Sequence, residues 1–413
     1  MISLKTLKRL PLSQKLIVTG VMVGMASGLS SFLFTKLIDF FGRSFDIVRA
    51  WPARWEILAL AGLPALGGLI AGWLCHRYCP DAKGSGVTNV ITAIEERSGL
   101  IRGRVAWVTA LASAATLGLG GSTGKEGPVI QIGAAIGSKI GQVLEASESN
   151  LKMLAASGAV GGLSAAFGIP LAGVFFTMEV ILGDFAHEAF SAVVISSVTA
   201  TITARLLLGK EGFFTPVLYR WQRPSEFLLY ALLGIFCAFI GILYQKSLSI
   251  FTGLFQRERA PDWVKPVLGG FLVGCLGLFL PNVLGEGHAI VNNILTGQSL
   301  GWIVLLLIFG KMLATALTLG SGGAGGNLMP ALFIGAMTGG AWGEALRFLG
   351  FHQIQMGAYA IVGMACVFTA SFQAPMSGII LAFELTRDYG ILMPVMFACT
   401  LAFIFSRERA KAH

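Results

Sequence analysis

A lysine and a glutamate stand side by side in a glycine-rich segment of an otherwise apolar stretch. The segment reads GSTGKEGPVIQIGA and contains Lys125 and Glu126. Besides this pair, the only charged residue between Arg104 and Glu145 is Lys139. An ionisable group in such apolar surroundings is costly to bury, and it therefore indicates a functional site.

The residues around Glu126 predict the start of a helix that binds an anion. A helix start carries free N–H groups and a partial positive charge, and an anion satisfies both. Glycines let the backbone approach that ion closely. Two further glycine-rich segments precede apolar runs in the same way, KGSG before Val87 and the segment GGNLMP. If the three helix starts converge, we expect a site made of backbone amides and one hydroxyl, that of Ser85.

In this interpretation Glu126 is a tethered anion that occupies the site of a free one. Protonation or displacement of its carboxylate would let the free anion through. Lys125 would add positive potential at the entrance. The alternative is that Glu126 only complements the dipole of a helix start on an exposed loop. The scarcity of other charges near Glu126 argues against that alternative.

The composition predicts a membrane protein built from helices. The 413 residues have a mean hydropathy of +0.75, and only 12% of them are charged, too few to cover a soluble protein of this length. The richness in Leu, Ala and Gly favours helices over a β-barrel. The net charge of +9 comes from clusters near the chain ends and in short loops, typical of cytoplasmic segments rather than of nucleic-acid binding. We expect an integral protein of a bacterial inner membrane with both termini in the cytoplasm and no nucleic-acid partner.

Three segments occur twice in the same order along the chain. Each copy carries a proline at the equivalent place, and the pairs are Pro80 and Pro281, Pro128 and Pro330, and Pro170 and Pro375. Such a duplication predicts two helical halves. We expect a first repeat over residues 1–210, a linker over 211–223 and a second repeat over 224–413. Together they would form one transmembrane domain without a cytoplasmic regulatory domain.

The apolar segments are of uneven length. Those over residues 16–37 and 228–248 are long enough to span a bilayer, which takes about 20 residues. Those over 128–142, 151–160 and 329–339 are short and broken by Gly and Pro. Short broken segments at equivalent places in two halves predict helices that end inside the membrane around a cavity.

These motifs resemble those of the CLC family of chloride channels and proton-coupled chloride antiporters, and the resemblance covers almost the whole chain. GKEGP is similar to the family motif G-[KR]-E-G-P, and KGSGV resembles GSGxP with Val87 in place of the proline. GGNLMP stands where GGxFxP is expected. The resemblance implies an all-α polytopic fold with two inverted-topology repeats, broken intramembrane helices, a pore in each subunit and a homodimer.

The resemblance also assigns roles to residues. The implied anion-binding residues are Ser85, Gly86, Glu126, Gly127, Asn327 and Leu328. Within this set, Ser85 and the amides of Asn327 and Leu328 would hold a central anion, and the amides around Glu126 and Gly127 an outer one. The Glu126 carboxylate would be the gate. Chloride would be the bound and transported ion, and no metal or other cofactor is expected.

Three departures from the family pattern bear on function. Family antiporters usually carry a proton-relay glutamate just after the position of Glu179, but this chain has Val180 there, so strict proton coupling is not expected. The chain ends at His413, before the family's last helix and its anion-contacting tyrosine, which predicts a more open inner side. The GGNLMP motif lacks the usual Ile-Phe-like pair, which predicts altered selectivity. Because Ser85 is retained, we favour chloride over fluoride.

The sequence therefore predicts passage of chloride through a CLC-type pathway gated by Glu126, uncoupled from protons or weakly coupled to them. A proton-coupled chloride antiporter that uses another acid or water in place of the missing relay is the alternative. A fluoride or other small-anion exporter is a further one. An enzyme is not expected, because the chain has neither the phosphate-binding G-x-x-x-x-G-K-[ST] motif nor a Ser/His/Asp constellation. The expected partners are chloride, protons if transport is coupled, the lipid bilayer and a second copy of the chain.

Overall fold

The computed structural model of the protein describes residues 12–50, 52–209, 226–351 and 354–410, and these are almost entirely helical. The predicted linker over 211–223 lies outside these described residues. The helices of the first half are α1 (Leu12–Arg49), α2 (Ala53–Tyr78), α3 (Gly86–Glu96), α4 (Arg104–Gly118), α5 (Glu126–Val143), α6 (Glu148–Phe167), α7 (Pro170–Phe176) and α8 (His187–Leu208). Those of the second half are α9 (Glu226–Arg257), α10 (Lys265–Phe279), α11 (His288–Leu295), α12 (Ile303–Gly320), α13 (Leu328–Phe348), α14 (Met356–Phe372), α15 (Pro375–Thr386) and α16 (Leu392–Ala410).

The two halves contain matching elements in the same order. Helix α5 begins two residues before Pro128, and α13 begins two residues before Pro330. Helix α7 begins at Pro170, and α15 begins at Pro375. Proline suits these places because the first turn of a helix has no use for its missing N–H. The prolines repeated in the sequence thus mark equivalent helix starts in the structure.

Glycines let neighbouring helices touch backbone to backbone in both halves. A Cβ on Gly133 of α5 would collide with the carbonyl of Gly158 in α6, and the equivalent pair in the second half is Gly335 and Gly363. Small residues at such contacts are typical of helices packed in lipid.

The prediction that residues 151–160 and 329–339 form short segments was wrong. Helix α6 has 20 residues and α13 has 21. Their glycines were interpreted as breaks, whereas they are the places where two helix backbones meet. The segment over 128–142 likewise belongs to the 18-residue helix α5.

Six helical segments in the described part of the chain are long and apolar enough to cross a membrane. They are Gln14–Val48, Ile57–Tyr78, Ala189–Leu208, Glu226–Arg257, Ile303–Gly320 and Tyr389–Arg407. Large apolar side chains such as Leu206 and Phe279 are about four-fifths exposed on the surface, where lipid would cover them. These features agree with the predicted integral membrane protein.

Two charged side chains in the described residues are completely buried, those of Glu126 and Lys311. A buried charge is stable only when it is paired or hydrogen-bonded. Both lie near the glycine-rich segments, which makes that region the candidate site.

Candidate functional site

The three glycine-rich helix starts meet at the contact between the two halves. Gly84–Ser85 forms a two-residue strand, β1, that pairs in parallel with β2 (Ala324–Gly325). Gly124 and Gly326 exchange two backbone hydrogen bonds, at 2.9 and 2.8 Å. These pairings hold the chain just before α3, α5 and α13 in one place. The sequence analysis expected a site on the condition that these starts converge, and it did not include the short strands that bring them together.

Two of the predicted site residues are glycines because the backbones are in contact. A Cβ on Gly86 would collide with the carbonyl of Gly127, and one on Gly127 would collide with Gly326. Any side chain at Gly86 or Gly127 would therefore push the helix starts apart. Their role in the structure is to allow the close approach of α3, α5 and α13.

The Glu126 carboxylate binds the start of the helix from the other half. Its Oε1 accepts a hydrogen bond of 2.5 Å from the backbone N–H of Met329, in the first turn of α13. Its Oε2 is buried and has no hydrogen-bond partner among the described residues. A carboxyl oxygen thus binds one of the free N–H groups of a helix start, which is a position that an anion would take.

Met329 was missing from the set of site residues predicted from the sequence. A helix leaves its first four N–H groups without partners inside the helix. Counting them from Leu328 would have included Met329 beside the two residues chosen. The signal was therefore present in the sequence.

Ser85 and Asn327, which immediately precede α3 and α13, lie next to each other. The Ser85 hydroxyl donates to Asn327 Oδ1 at 3.2 Å. The hydroxyl of Tyr244, a fully buried residue of α9, donates to the Asn327 carbonyl at 2.8 Å. Tyr244 stands in an apolar run of the sequence, and no pattern there distinguishes it from a core residue.

A cavity of about 1050 Å³ opens from Ser85 and Asn327 towards the surface. Two lysines and one aspartate line it further out, namely Lys83, Lys265 and Asp262. Asp262 forms ion pairs with both lysines, at 3.5 and 2.9 Å. The hydrogen bond from Lys265 and the charge of Lys83 lower the pKa of Asp262. The two lysines and Asp262 together carry one net positive charge. This charge favours anions in the cavity, which is called the vestibule below.

A cluster of ionisable side chains lies beside the start of α5, next to Glu126. The backbone N–H of Lys125 donates to Glu286 Oε1 at 2.9 Å, and its ammonium lies 4.0 Å from Glu286 Oε2. His288 Nε2 lies 3.1 Å from the same oxygen. The ammonium of Lys311 donates to the carbonyls of Val283 and Gly285, at 3.0 and 2.6 Å, and so fixes the loop that carries Glu286.

This pairing changes the role expected of Lys125. The sequence predicted a lysine that adds positive potential at the entrance, but the charge of Glu286 partly compensates it. Glu286 was not among the predicted site residues, although it lies in the repeated segment PNVLGEG. A charged residue inside a repeated motif was a signal that could have identified it.

Val180, at the position of the missing proton relay, is half-buried in a π-helical turn over Thr177–Leu182. The neighbouring Glu179 accepts hydrogen bonds from the backbone N–H groups of Met376 and Ser377 at the start of α15. Its repeat-related partner Glu384 does the same for α7. Each half thus supplies a carboxylate to a helix start of the other half.

Comparison with known proteins gives consistent results. The model of a family described as voltage gated chloride channel matches residues 67–407. The chain is 32% identical to the H(+)/Cl(-) exchange transporter ClcA of Vibrio parahaemolyticus serotype O3:K6 (strain RIMD 2210633), over 85% of this chain and 77% of that protein. It is also 32% identical to a putative chloride channel protein ClcB-like of Ralstonia nicotianae (strain ATCC BAA-1114 / GMI1000), over 83% of this chain and 81% of that protein.

Solved structures agree with this fold. A slow cyanobacterial Cl−/H+ antiporter matches with a TM-score of 0.88 at 26% identity, over 97% of this chain and 95% of that one. A CLC-type fluoride/proton antiporter matches with a TM-score of 0.79 over 96% of both chains, and at 22% identity it supports the fold alone. The predicted all-α polytopic architecture with two inverted repeats and broken intramembrane helices is confirmed.

Proposed function

This chain belongs to the CLC family of voltage gated chloride channels and chloride transporters, and we propose that it exchanges chloride for protons across the membrane. Curated relatives are named H(+)/Cl(-) exchange transporters, and the similar cyanobacterial structure is of a Cl−/H+ antiporter. These names favour coupled exchange over the uncoupled or weakly coupled passage that Val180 suggested. The alternative considered from the sequence thus becomes the main proposal.

The contact between Glu126 and Met329 is the observation that carries the proposal. The ionised carboxylate and a chloride ion would compete for the same N–H group at the start of α13. A protonated carboxyl loses its charge and binds this helix start less well. Chloride therefore replaces Glu126 when Glu126 takes up a proton, and the returning carboxylate releases that proton as chloride leaves. A single side chain thereby links the movement of the two ions.

The vestibule gives chloride a route from the surface to Ser85 and Asn327. Lys83 and Lys265 attract anions to it, and Ser85 offers a hydroxyl where the vestibule ends. A chloride ion at that place would compete with Asn327 Oδ1 for the Ser85 hydroxyl. The anion would then pass from Ser85 to the amides of α13 and displace the Glu126 carboxylate.

An uncoupled chloride channel is the second candidate. Val180 cannot carry a proton, and the Ralstonia relative is named a putative chloride channel protein. The homodimer, the cytoplasmic termini and the division into repeats at the linker remain predictions of the sequence and the family resemblance.

Ion fluxes from proteoliposomes test the proposal. Liposomes loaded with chloride and made permeable to potassium would be diluted into low chloride, and chloride and pH would be recorded together. We expect protons to enter as chloride leaves. In Glu126→Gln the chloride flux should persist without proton movement, whereas the exposed control Glu95→Gln should behave like the wild type. Chloride efflux from the wild type without proton movement would refute the exchange and favour the channel.

A further inference from the structure

The start of α13 is bound by a residue of another helix, because the hydroxyl of Tyr244 in α9 donates to the Asn327 carbonyl. Resting on the proposed exchange, in which chloride binds the N–H groups of this helix start, we propose that Tyr244 is a positioning residue for the anion. Its hydroxyl fixes the peptide group between Asn327 and Leu328, and thereby the direction of the Leu328 N–H. Tyr244 acts without touching the anion, and it sets both the affinity for chloride and the selectivity against larger anions.

The Tyr244 hydroxyl makes the tighter of two hydrogen bonds to the Asn327 carbonyl. It donates at 2.8 Å, whereas the Ala331 N–H donates to the same oxygen at 3.3 Å. The usual N–H···O distance is about 2.7–3.2 Å, so the contact with Ala331 is a long one. A carbonyl oxygen has two lone pairs and can accept both hydrogen bonds. The first hydrogen bond within α13 is therefore weak, and the Tyr244 hydroxyl is the main constraint on this carbonyl.

This constraint reaches the anion site through the peptide group itself. The carbonyl of Asn327 and the N–H of Leu328 belong to one planar trans peptide group, in which they point in opposite directions. A hydrogen bond that fixes the carbonyl therefore fixes the N–H as well. The Leu328 N–H has no partner inside α13, because it belongs to the first turn, and it can donate to an anion. A hydrogen bond accepted by the carbonyl also polarises the peptide group and strengthens the N–H as a donor.

Tyr244 becomes the remaining constraint on Asn327 when an anion binds. In the structure, the Ser85 hydroxyl holds the side chain of Asn327 at Oδ1, at a distance of 3.2 Å. In the proposed exchange the anion takes over the Ser85 hydroxyl, so this contact is lost. Tyr244 binds the main chain of Asn327 instead, and its own side chain is fully buried. The Leu328 N–H therefore keeps its direction while the anion is bound.

A fixed N–H direction favours a small anion over a larger one. The Ser85 hydroxyl and the Leu328 N–H then define one distance at which an anion can accept from both. A larger anion such as thiocyanate fits only if the peptide group turns, which breaks the hydrogen bond with Tyr244. Without the hydroxyl the peptide group turns freely, so larger anions are discriminated against less.

A purely structural role is the alternative for this hydroxyl, since a buried hydroxyl needs a hydrogen-bond partner wherever it lies. Tyr230 provides a matched comparison in the same helix. It is also buried, and its ring stacks on that of Tyr359 with the centroids 4.5 Å apart. Since α9 rises about 1.5 Å per residue, Tyr230 lies about 21 Å from Tyr244 along the helix axis. Both tyrosines contribute to packing, and the positioning of the anion site belongs to Tyr244 alone.

The variants Tyr244→Phe and Tyr230→Phe of the full chain separate these roles. Phenylalanine keeps the ring, and the Asn327 carbonyl keeps its hydrogen bond from Ala331, so we expect Tyr244→Phe to fold. Calorimetric titrations with chloride and with thiocyanate would be run beside thermal unfolding of the same samples. In Tyr244→Phe, chloride affinity should fall about two- to tenfold, as for the loss of one neutral hydrogen bond. Thiocyanate affinity should fall less, so the ratio of the two affinities decreases, whereas Tyr230→Phe should keep the wild-type ratio.

The same titrations in the Glu126→Gln background make the result independent of proton coupling, because the competing carboxylate is then neutral. An unchanged ratio of chloride to thiocyanate affinity in Tyr244→Phe overturns the positioning role, whatever happens to its thermal stability. An equal decrease of the ratio in Tyr230→Phe also overturns it, since the effect would then reflect packing of α9. A decreased ratio in Tyr244→Phe alone supports the positioning role, and it does so even if the wild type moves no protons and the exchange is refuted.

Discussion

Replacement of Glu126 by glutamine should strengthen chloride binding. The Glu126 carboxyl binds the Met329 N–H at 2.5 Å, and in the proposed exchange chloride displaces it from there. A hydrogen bond to a charged group contributes about 1.5–3 kcal/mol, and one to a neutral group about 0.5–1.5 kcal/mol. Glutamine can still accept this hydrogen bond, but as a neutral competitor weaker by about 1–1.5 kcal/mol. Chloride affinity should then rise roughly five- to tenfold, since 1.4 kcal/mol corresponds to about tenfold.

Calorimetric titration of the detergent-solubilised protein with chloride measures this change. The pH dependence gives a second, independent sign. In the wild type, raising the pH ionises Glu126 and should weaken chloride binding, whereas the variant should bind with the same affinity at every pH. Glu95→Gln, which changes an exposed carboxylate near the end of α3, is the control and should follow the wild type.

Two results would refute the competition between Glu126 and chloride. One is a Glu126→Gln variant whose chloride affinity equals or falls below that of the wild type. The other is a variant that keeps the pH dependence of the wild type. Either result would mean that chloride does not bind at the helix start held by Met329.

Three further changes test other parts of the site and the fold. Ser85→Ala removes a neutral hydroxyl at the end of the vestibule and should weaken chloride binding by up to about tenfold in the same titration; unchanged affinity and selectivity would exclude Ser85 as a ligand. Glu286→Gln removes one negative charge beside Lys125, so chloride flux at low ionic strength should rise several-fold and lose this gain in high salt; a flux independent of salt contradicts this. Gly158→Ala inserts a methyl group against the Gly133 carbonyl and should lower the free energy of unfolding by about 1–3 kcal/mol, seen in thermal unfolding; Gly62→Ala, where the space is open, should not.

The helix starts could be predicted because local chemistry fixes them. Glycine-rich segments followed by apolar runs located the starts of α3, α5 and α13 to within one or two residues. The duplication then indicated that such starts belong together. The combination of glycines, a proline and an isolated charge is uncommon in an apolar chain. Each of these residue types has a specific physical reason for its place.

Contacts between distant residues could not be predicted in the same way. The Tyr244 hydroxyl donates a hydrogen bond to the carbonyl of Asn327, which lies 83 residues further along the sequence. The segment that contains Tyr244 is an ordinary apolar helix. The pairing of Lys125 with Glu286 depends on how the loop after α10 returns to the site. Glycine in α6 was mistaken for a break because its close partner lies in another helix. These features follow from packing, which one sequence does not reveal.

The reciprocal binding of Glu179 and Glu384 has a consequence for how the protein is made. Residues Leu171 and Ala172 leave the ribosome long before Glu384, so their N–H groups are made before the carboxylate that binds them in the folded chain. The first N–H groups of a helix have no partner inside the helix. Until the second half is translated and docks, these two N–H groups therefore need another partner, such as water. The start of α7 is completed only when α15 has been made.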